Sequence, residues 1–212
     1  MSISYNVISK FYGLLDKIYF KDKQKNPRYI LSNKIQNNDL YLLEIAVGTA
    51  ENIILFAKQN PKLKIIGIDL SEQMLKIAQN KITKDNINNV ELIKMDATNM
   101  TFDNKTFDYI IISLLLHELK EEISNKILNQ CLKILKNNGK IYVIEWNYPK
   151  KLSQKIKFSM INFLEPFANK DFRQFMKKDF HEYFSKNGFQ IKGIEYGDYT
   201  KIMELEKSAT ST

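Results

Sequence analysis

Three carboxylates stand near the ends of successive short apolar segments in the first half of the chain: Glu44, Asp69 and Asp96. Gly48 follows Glu44 by four residues, and Asp69 stands 21 residues after Gly48. Apolar segments of this length, separated by helical patterns, predict buried parallel strands. In such sheets, ligands bind outside the carboxyl ends of the strands. The sequence therefore predicts a site in which three acids surround one glycine turn.

The elements that must position these residues alternate between strands and helices. Strands are predicted at residues 41–47, 63–68, 90–95, 107–116 and 140–146. Helices are predicted at residues 51–59, 71–82 (with Ser71 as N-cap) and 123–135, the last closed by a C-cap turn at 137–139. A final hairpin is predicted from residues 188–192 and 200–205. This alternation indicates an α/β fold with a mostly parallel sheet and helices on both faces.

The glycine turn differs from the two common phosphate-binding turns. Aligned with a dinucleotide-binding G-x-G-x-x-G turn, it carries Ala46, Gly48 and Glu51, and no Lys-Ser/Thr pair follows as in a P-loop. A carboxylate at the helix N-terminus opposes a pyrophosphate on the same N–H groups. A cationic nucleoside without phosphates fits better, and S-adenosylmethionine is such a ligand. Asp69 could accept hydrogen bonds from its ribose hydroxyls and Asp96 from its adenine amino group.

The segment from Leu42 to Trp146 resembles the class I S-adenosylmethionine-dependent methyltransferases. More narrowly, it resembles the branch that includes the ubiquinone/menaquinone biosynthesis methyltransferases. The motifs that carry the resemblance are, in order, Glu44-Ile-Ala46-Val-Gly48-Thr49-Ala50, Gly67-Ile-Asp69-Leu70-Ser71-Glu-Gln-Met74-Leu, Asp96-Ala97, Phe107-Asp108 with Ser113, and Leu135-Lys-Asn-Asn-Gly139-Lys. One departure is Ala50, which stands where the family has a glycine.

The resemblance implies a Rossmann-like fold whose mostly parallel, seven-stranded sheet has an antiparallel last strand and is joined by helical lid elements. It also implies S-adenosyl-L-methionine as cofactor and no metal. The residues expected to contact the cofactor are Glu44, Ala46, Gly48, Thr49, Asp69, Leu70, Met74, Asp96, Ala97 and Ser113.

His117 is the candidate catalytic residue because it ends the fourth predicted strand, where the methyl group would be transferred. An ordinary histidine pKa near ~6.5 suits a general base. The alternative is a structural histidine bonded to the backbone. Glu145, at the end of the fifth predicted strand, is expected either to orient the substrate or to pair with a lysine.

The acceptor is expected to contact four residues: Tyr12, Tyr19, Arg28 and Trp146. The chain has two arginines, Arg28 and Arg173, against thirty lysines. An arginine can grip a carboxylate in a bidentate manner that a lysine cannot. The alternative for Arg28 is a surface salt bridge.

The 212 residues are expected to form a single domain. Its parts are an N-terminal helical lid at 1–38, a cofactor-binding core at 39–149, a lid insertion at 150–187 and a C-terminal hairpin at 188–207. The two lid segments are basic, with seven basic side chains against two acidic ones and nine against four, and they hold 14 of the 25 aromatic residues. Inward-facing aromatics would roof a dry pocket, which favours methyl transfer.

The composition narrows the class of function. A single cysteine, Cys131, excludes a disulfide framework and a cysteine-based zinc site, and no apolar segment reaches membrane-spanning length. A cytoplasmic location is the expected default. Cys131 lies on an apolar helix face, so the nucleophile needed for cytosine-C5 methylation is absent. The Asn/Asp-Pro-Pro-aromatic motif of exocyclic-amine methylation is missing as well, which makes nucleic acid an unlikely partner.

These features predict methyl transfer to a small apolar or aromatic acceptor resembling a quinone precursor. One alternative is an N-methyltransferase of a lipid head group or small amine. The alternative of another class is a non-catalytic or RNA-binding module with the same fold. The lysines of the lid segments could also bring the protein to an anionic membrane surface. The sequence carries no signal for the oligomeric state.

Overall fold

The computed structural model describes residues 22–35, 38, 40–148, 155, 158 and 170–209, and for residues 170, 171 and 173 it describes the backbone alone. The helices are α1 (Pro27–Ser32), α2 (Glu51–Gln59), α3 (Glu72–Lys84), α4 (Glu121–Ile134), α5 (Lys170–Met176) and α6 (Phe180–Lys186), with a 3₁₀ helix at Leu116–Glu118. The strands are β1 (Tyr41–Ile45), β2 (Lys64–Asp69), β3 (Val90–Lys94), β4 (Phe107–Ser113), β5 (Leu135–Trp146), β6 (Phe189–Tyr196) and β7 (Thr200–Lys207).

The seven strands form one sheet in the order β3-β2-β1-β4-β5-β7-β6. Strands β1 to β5 run parallel to one another, and β7 runs antiparallel to both β5 and β6. This confirms the predicted fold class. The chain order reverses between β1 and β4, so the carboxyl ends of these two strands border the crevice where ligands bind in this architecture.

Apolar side chains cover both faces of the sheet, as expected where parallel strands are buried on both sides. On one face, Leu43, Ile110 and Val143 pack against α4, α5 and α6, and Cys131 of α4 is fully buried there. On the other face, Leu42 packs with side chains of α1, α2 and α3. The sheet is therefore a rigid platform whose carboxyl edge carries the site.

Two local predictions were wrong. The fourth strand ends at Ser113 rather than 116, because Leu114 adopts a left-handed φ of 51° and breaks the strand. The predicted C-cap turn at 137–139 is absent, since α4 ends at Ile134 and β5 begins at Leu135. Gly139 serves close packing instead, because a β-carbon there would lie 2.7 Å from Leu135 Cδ1.

The predicted lid segments are described only in part. Helix α1 of segment 1–38 packs against α2 and β7, and α6 of segment 150–187 packs against β6. Tyr12 and Tyr19 lie outside the described residues. Within the described ranges, no helix is both long and apolar enough to cross a bilayer. Nor do those ranges contain a cluster of His, Cys, Asp or Glu side chains that could hold a metal ion.

Gly67 in β2 supports the glycine turn through close packing. A β-carbon at this position would lie 2.9 Å from Val47 Cγ2 and 3.0 Å from Leu92 Cδ2. We therefore expect Gly67→Val to lower the free energy of unfolding by about 1–3 kcal/mol through overpacking, measured by urea denaturation. Gly193→Val in β6 is the matched control, because a β-carbon there would meet no atom within 4 Å. Equal losses in the two variants would contradict this account.

Candidate active site

The turn after β1 is tied to the end of β2 by hydrogen bonds. Gly48 N donates to Asp69 Oδ2 at 2.9 Å, and Val47 N donates to the carbonyl of Ile68 at 3.0 Å. The second Asp69 oxygen, Oδ1, accepts from Ser71 N at 2.8 Å. Asp69 therefore fixes the turn from one side and the start of α3 from the other. Each carboxylate oxygen retains capacity for a further donor such as a ribose hydroxyl.

The turn has an unusual backbone in which three residues adopt positive φ: Ala46 at 55°, Gly48 at 54° and Ala50 at 65°. Positive φ is unfavourable for any residue with a β-carbon, so Ala46 and Ala50 hold a strained backbone that the surrounding fold must stabilise. Ala50 is fully buried as the N-cap residue of α2. A β-carbon at Gly48 would have no atom within 4 Å. The space above Gly48 is therefore open to a ligand.

Glu44 is a buried acid whose bonding is incomplete. Its Oε1 accepts from Asn52 Nδ2, and Asn52 Oδ1 in turn accepts from Arg28 Nε at 2.8 Å. Its Oε2 is buried without a hydrogen-bond partner among the described residues. Burial raises the pKa of Glu44 to about 8, although the Asn52 hydrogen bond and the Arg28 charge act in the opposite direction. A cation placed beside Oε2 would satisfy this acid.

The residues after β2 and β3 complete one side of the crevice. Asp69 and Asp96 are adjacent at this edge, because Met95 N donates to the carbonyl of Asp69 at 3.2 Å. Asp96 is exposed, and its Oδ1 accepts from both Thr98 N and Thr98 Oγ1 at 2.8 Å. Leu70 is 65% exposed although it is a large apolar side chain.

The other side of the crevice holds a buried histidine–glutamate pair. His117 lies in the 3₁₀ helix after β4 and is 2% exposed. Its Nδ1 lies 2.6 Å from Oε2 of Glu145, and Glu145 Oε1 accepts from Leu116 N at 3.0 Å. A carboxylate only accepts, so Nδ1 carries the hydrogen and Nε2 is the nitrogen that can take up a proton. The pair has the arrangement of an oriented general base.

An aromatic cluster lies beside this pair, formed by Trp146, Phe158, Phe172 and Tyr199. The Phe172 ring meets the His117 ring edge-on at 5.3 Å between centroids. Phe158 contacts Trp146 at 6.1 Å and stacks on Tyr199 at 6.5 Å. Such a cluster keeps water away from the histidine–glutamate pair.

The structure places the predicted site residues Glu44, Asp69 and Ser113 at the carboxyl ends of β1, β2 and β4. Arg28 lies at the turn, half-buried and bonded to Asn52, rather than in a surface ion pair alone. Glu145 was expected either to orient the substrate or to pair with a lysine. In the structure it instead bonds to His117 and to the backbone N–H of Leu116. Asn52 was missed. Its position in the first turn of the helix that follows Glu44 was the available signal.

Comparison with known proteins identifies the class. Residues 42–139 match the sequence model of a family described as "Methyltransferase domain". The chain is 29% identical over 169 residues to the demethylmenaquinone methyltransferase of Listeria monocytogenes, covering 79% of this chain and 68% of that relative. It is 28% identical over 179 residues to the demethylmenaquinone methyltransferase of Thermotoga maritima, covering 83% and 73%. The crystal structure of a SAM-dependent methyltransferase from Aquifex aeolicus superposes with a TM-score of 0.65 at 18% identity, covering 86% of this chain and 90% of that one.

Residues 42–139 therefore form a methyltransferase domain, and the fold of the chain is that of the class I S-adenosylmethionine-dependent methyltransferases. Within that class, the curated relatives that it resembles are demethylmenaquinone methyltransferases. The described residues also fit the cofactor. The space above Gly48 is open, one buried oxygen of Glu44 lacks a partner, and Leu70 is exposed at the rim.

The raised pKa of Glu44 predicts a pH-dependent stability. Between pH of about 4.5 and about 8, the folded protein keeps a proton on Glu44 that the unfolded chain has released, so wild-type stability falls as the pH rises through this window. Glu44→Gln does not titrate. We expect the free energy of unfolding of the variant, relative to wild type, to rise across this window by up to about 5 kcal/mol, measured by urea denaturation at several pH values.

Glu91→Gln is the control for this series, because Glu91 is exposed in the folded protein. A Glu44→Gln difference that stays constant with pH, or one that falls, would show that Glu44 is not held protonated.

Proposed function

We propose that this protein transfers the methyl group of S-adenosylmethionine to a small, apolar aromatic acceptor of the reduced-quinone type. The observation that carries the proposal is the aromatic cluster of Trp146, Phe158, Phe172 and Tyr199 beside the buried His117–Glu145 pair. The names of the Listeria and Thermotoga relatives agree with such an acceptor.

The cofactor would be held by residues on the β1, β2 and β3 side of the crevice. The ammonium group of the cofactor suits Oε2 of Glu44. Its carboxylate suits the guanidinium of Arg28, whose Nε donates a hydrogen bond to Asn52. Its ribose hydroxyls suit Asp69, and its adenine suits Leu70 and Asp96. When bound, S-adenosylmethionine supplies an electrophilic methyl group on a positively charged sulfur.

The chain's own chemistry lies in the His117–Glu145 pair and the aromatic cluster. His117 Nε2 accepts the proton of an acceptor hydroxyl, which raises the nucleophilicity of the acceptor. Glu145 keeps Nδ1 protonated and stabilises the imidazolium that forms. Trp146 and Phe172 keep water out of the site. The positive charge of the sulfonium is lost during methyl transfer, and exclusion of water favours this loss. Positioning accounts for much of the remaining rate enhancement.

We expect Asp69→Ala to weaken S-adenosylmethionine binding at least tenfold, because it removes both the ribose acceptor and the bond that fixes Gly48. Calorimetric titration measures the affinity, and a melting curve checks that the variant folds. Asp103→Ala is the control, because Asp103 is exposed and its backbone carbonyl, which accepts from Thr106 Oγ1, is retained. Unchanged affinity in a folded Asp69→Ala protein would remove Asp69 from the cofactor site.

We expect His117→Ala to lower kcat by about 10²–10⁴-fold while cofactor affinity changes by less than threefold. His181→Ala, in an exposed position of α6, should leave both parameters unchanged. Steady-state kinetics and calorimetry separate the two effects. A His117→Ala enzyme with wild-type kcat would exclude His117 as the base.

The acceptor class is tested by measuring S-adenosylhomocysteine formation over panels of quinols, phenols, amines and thiols. Turnover with quinols or phenols is the expected result. Turnover with amines alone would overturn the proposal in favour of an N-methyltransferase. No turnover together with salt-dependent RNA binding would favour an RNA-binding module instead. Cosedimentation with anionic vesicles would support uptake of the acceptor from a membrane surface.

A further inference from the structure

Lys201, the second residue of β7, is a buried cation. Its side chain is 9% exposed, and Nζ lies 3.7 Å from the centroid of the Phe180 ring. Among the described residues, no carboxylate lies within ion-pair distance of this ammonium. Burial lowers the pKa of Lys201, and the charge of Glu145 acts in the opposite direction. Burying a charged ammonium without an ion-pair partner is unfavourable, so we expect this lysine to balance a nearby charge.

The strand register places Lys201 directly opposite Glu145. In the antiparallel β5–β7 pair, Glu145 faces Lys201 and Trp146 faces Thr200. Directly opposed residues project from the same face of the sheet with β-carbons about 5 Å apart. The ammonium and the carboxylate therefore lie on the same face of the sheet without forming an ion pair, while both oxygens of Glu145 are bonded to the Leu116–His117 segment.

The other charged or titratable groups around His117 and Glu145 do not balance the carboxylate. Glu118 Oε1 lies 4.0 Å from His117 Nε2 and adds negative charge. Tyr183 of α6 is neutral, because burial raises its pKa to about 12. Lys178, whose ammonium lies over the Tyr183 ring, is paired with Glu121. The described side chain of α5 that contacts His117 is the apolar ring of Phe172.

An uncompensated Glu145 would work against catalysis. A buried carboxylate hydrogen-bonded to a histidine stabilises the imidazolium form. An imidazolium cannot accept a proton, so a histidine base must be uncharged at the working pH. A cation close to Glu145 offsets this stabilisation.

We propose that Lys201, acting through Glu145, is a positioning residue that keeps His117 uncharged at neutral pH and therefore able to accept a proton. The proposal rests on the proposed function, in which His117 is the base. Lys201 itself needs no contact with the acceptor.

The first test is the pH dependence of kcat for Lys201→Met, which fills the same space without the charge. We expect its acidic limb to move to higher pH by about one unit, so that activity lost at pH 7 returns at higher pH. Lys201→Arg should keep the wild-type limb. Lys207→Met is the matched control, because Lys207 is a partly buried lysine at the other end of β7. An unmoved limb in Lys201→Met would overturn the proposal.

The second test does not depend on activity. Imidazole NMR titration reports His117 directly, with exposed His181 as the internal reference. A His117 midpoint that rises in Lys201→Met while His181 stays constant supports the proposal, and an unchanged midpoint overturns it. Wild-type kcat in His117→Ala would exclude His117 as the base, whereas the titration still decides whether Lys201 sets the protonation of His117.

A double variant isolates the route through Glu145. Adding Lys201→Met to Glu145→Gln should move the His117 midpoint less than Lys201→Met does alone, because no carboxylate remains to be balanced. Equal shifts in both backgrounds would contradict the role of Glu145. Should Lys201→Met fail to fold in a melting experiment, Lys201→Gln replaces it as a neutral variant that can hydrogen-bond.

Discussion

The hydrogen bond from Gly48 N to Asp69 joins the ends of two parallel strands, and the cofactor site depends on it. The bond holds a turn in which Ala46, Gly48 and Ala50 all adopt positive φ, a backbone that is costly for residues other than glycine. The same turn leaves the space above Gly48 open and follows directly after Glu44. Because Asp69 also accepts from Ser71 N at the start of α3, one carboxylate fixes both the turn and the helix start, and the same carboxylate is the proposed ribose acceptor.

Two buried acids divide the chemistry of the crevice. Glu44 at the end of β1 keeps an unpartnered oxygen, and burial raises its pKa to about 8. Glu145 at the end of β5 has both oxygens occupied, by Leu116 N and His117 Nδ1. In the proposed function, the first acid binds a positively charged group of the cofactor and the second orients a base. Burial produces both behaviours, and the difference lies in how many donors each acid already has.

The sequence predicted those features that depend on local patterns. Helix α2 at 51–59 and the Ser71 cap follow from apolar periodicity and N-cap preference, and both were confirmed. The turn predicted at 137–139 failed because Asn-Asn-Gly is an ordinary C-cap signal, whereas packing against Leu135 selects Gly139 in this fold. The Arg28–Asn52–Glu44 chain and the Glu145–Lys201 opposition were beyond reach, since each joins residues whose proximity only the strand register and the tertiary fold create.

The most direct test of this account is a crystal structure of the protein with S-adenosylhomocysteine. The account predicts the nucleoside resting on the Gly48 turn, with its ribose hydroxyls donating to Asp69 and its amino group beside Oε2 of Glu44. A ligand bound elsewhere, or one lying on the turn with Asp69 and Glu44 directed away from it, would contradict the account.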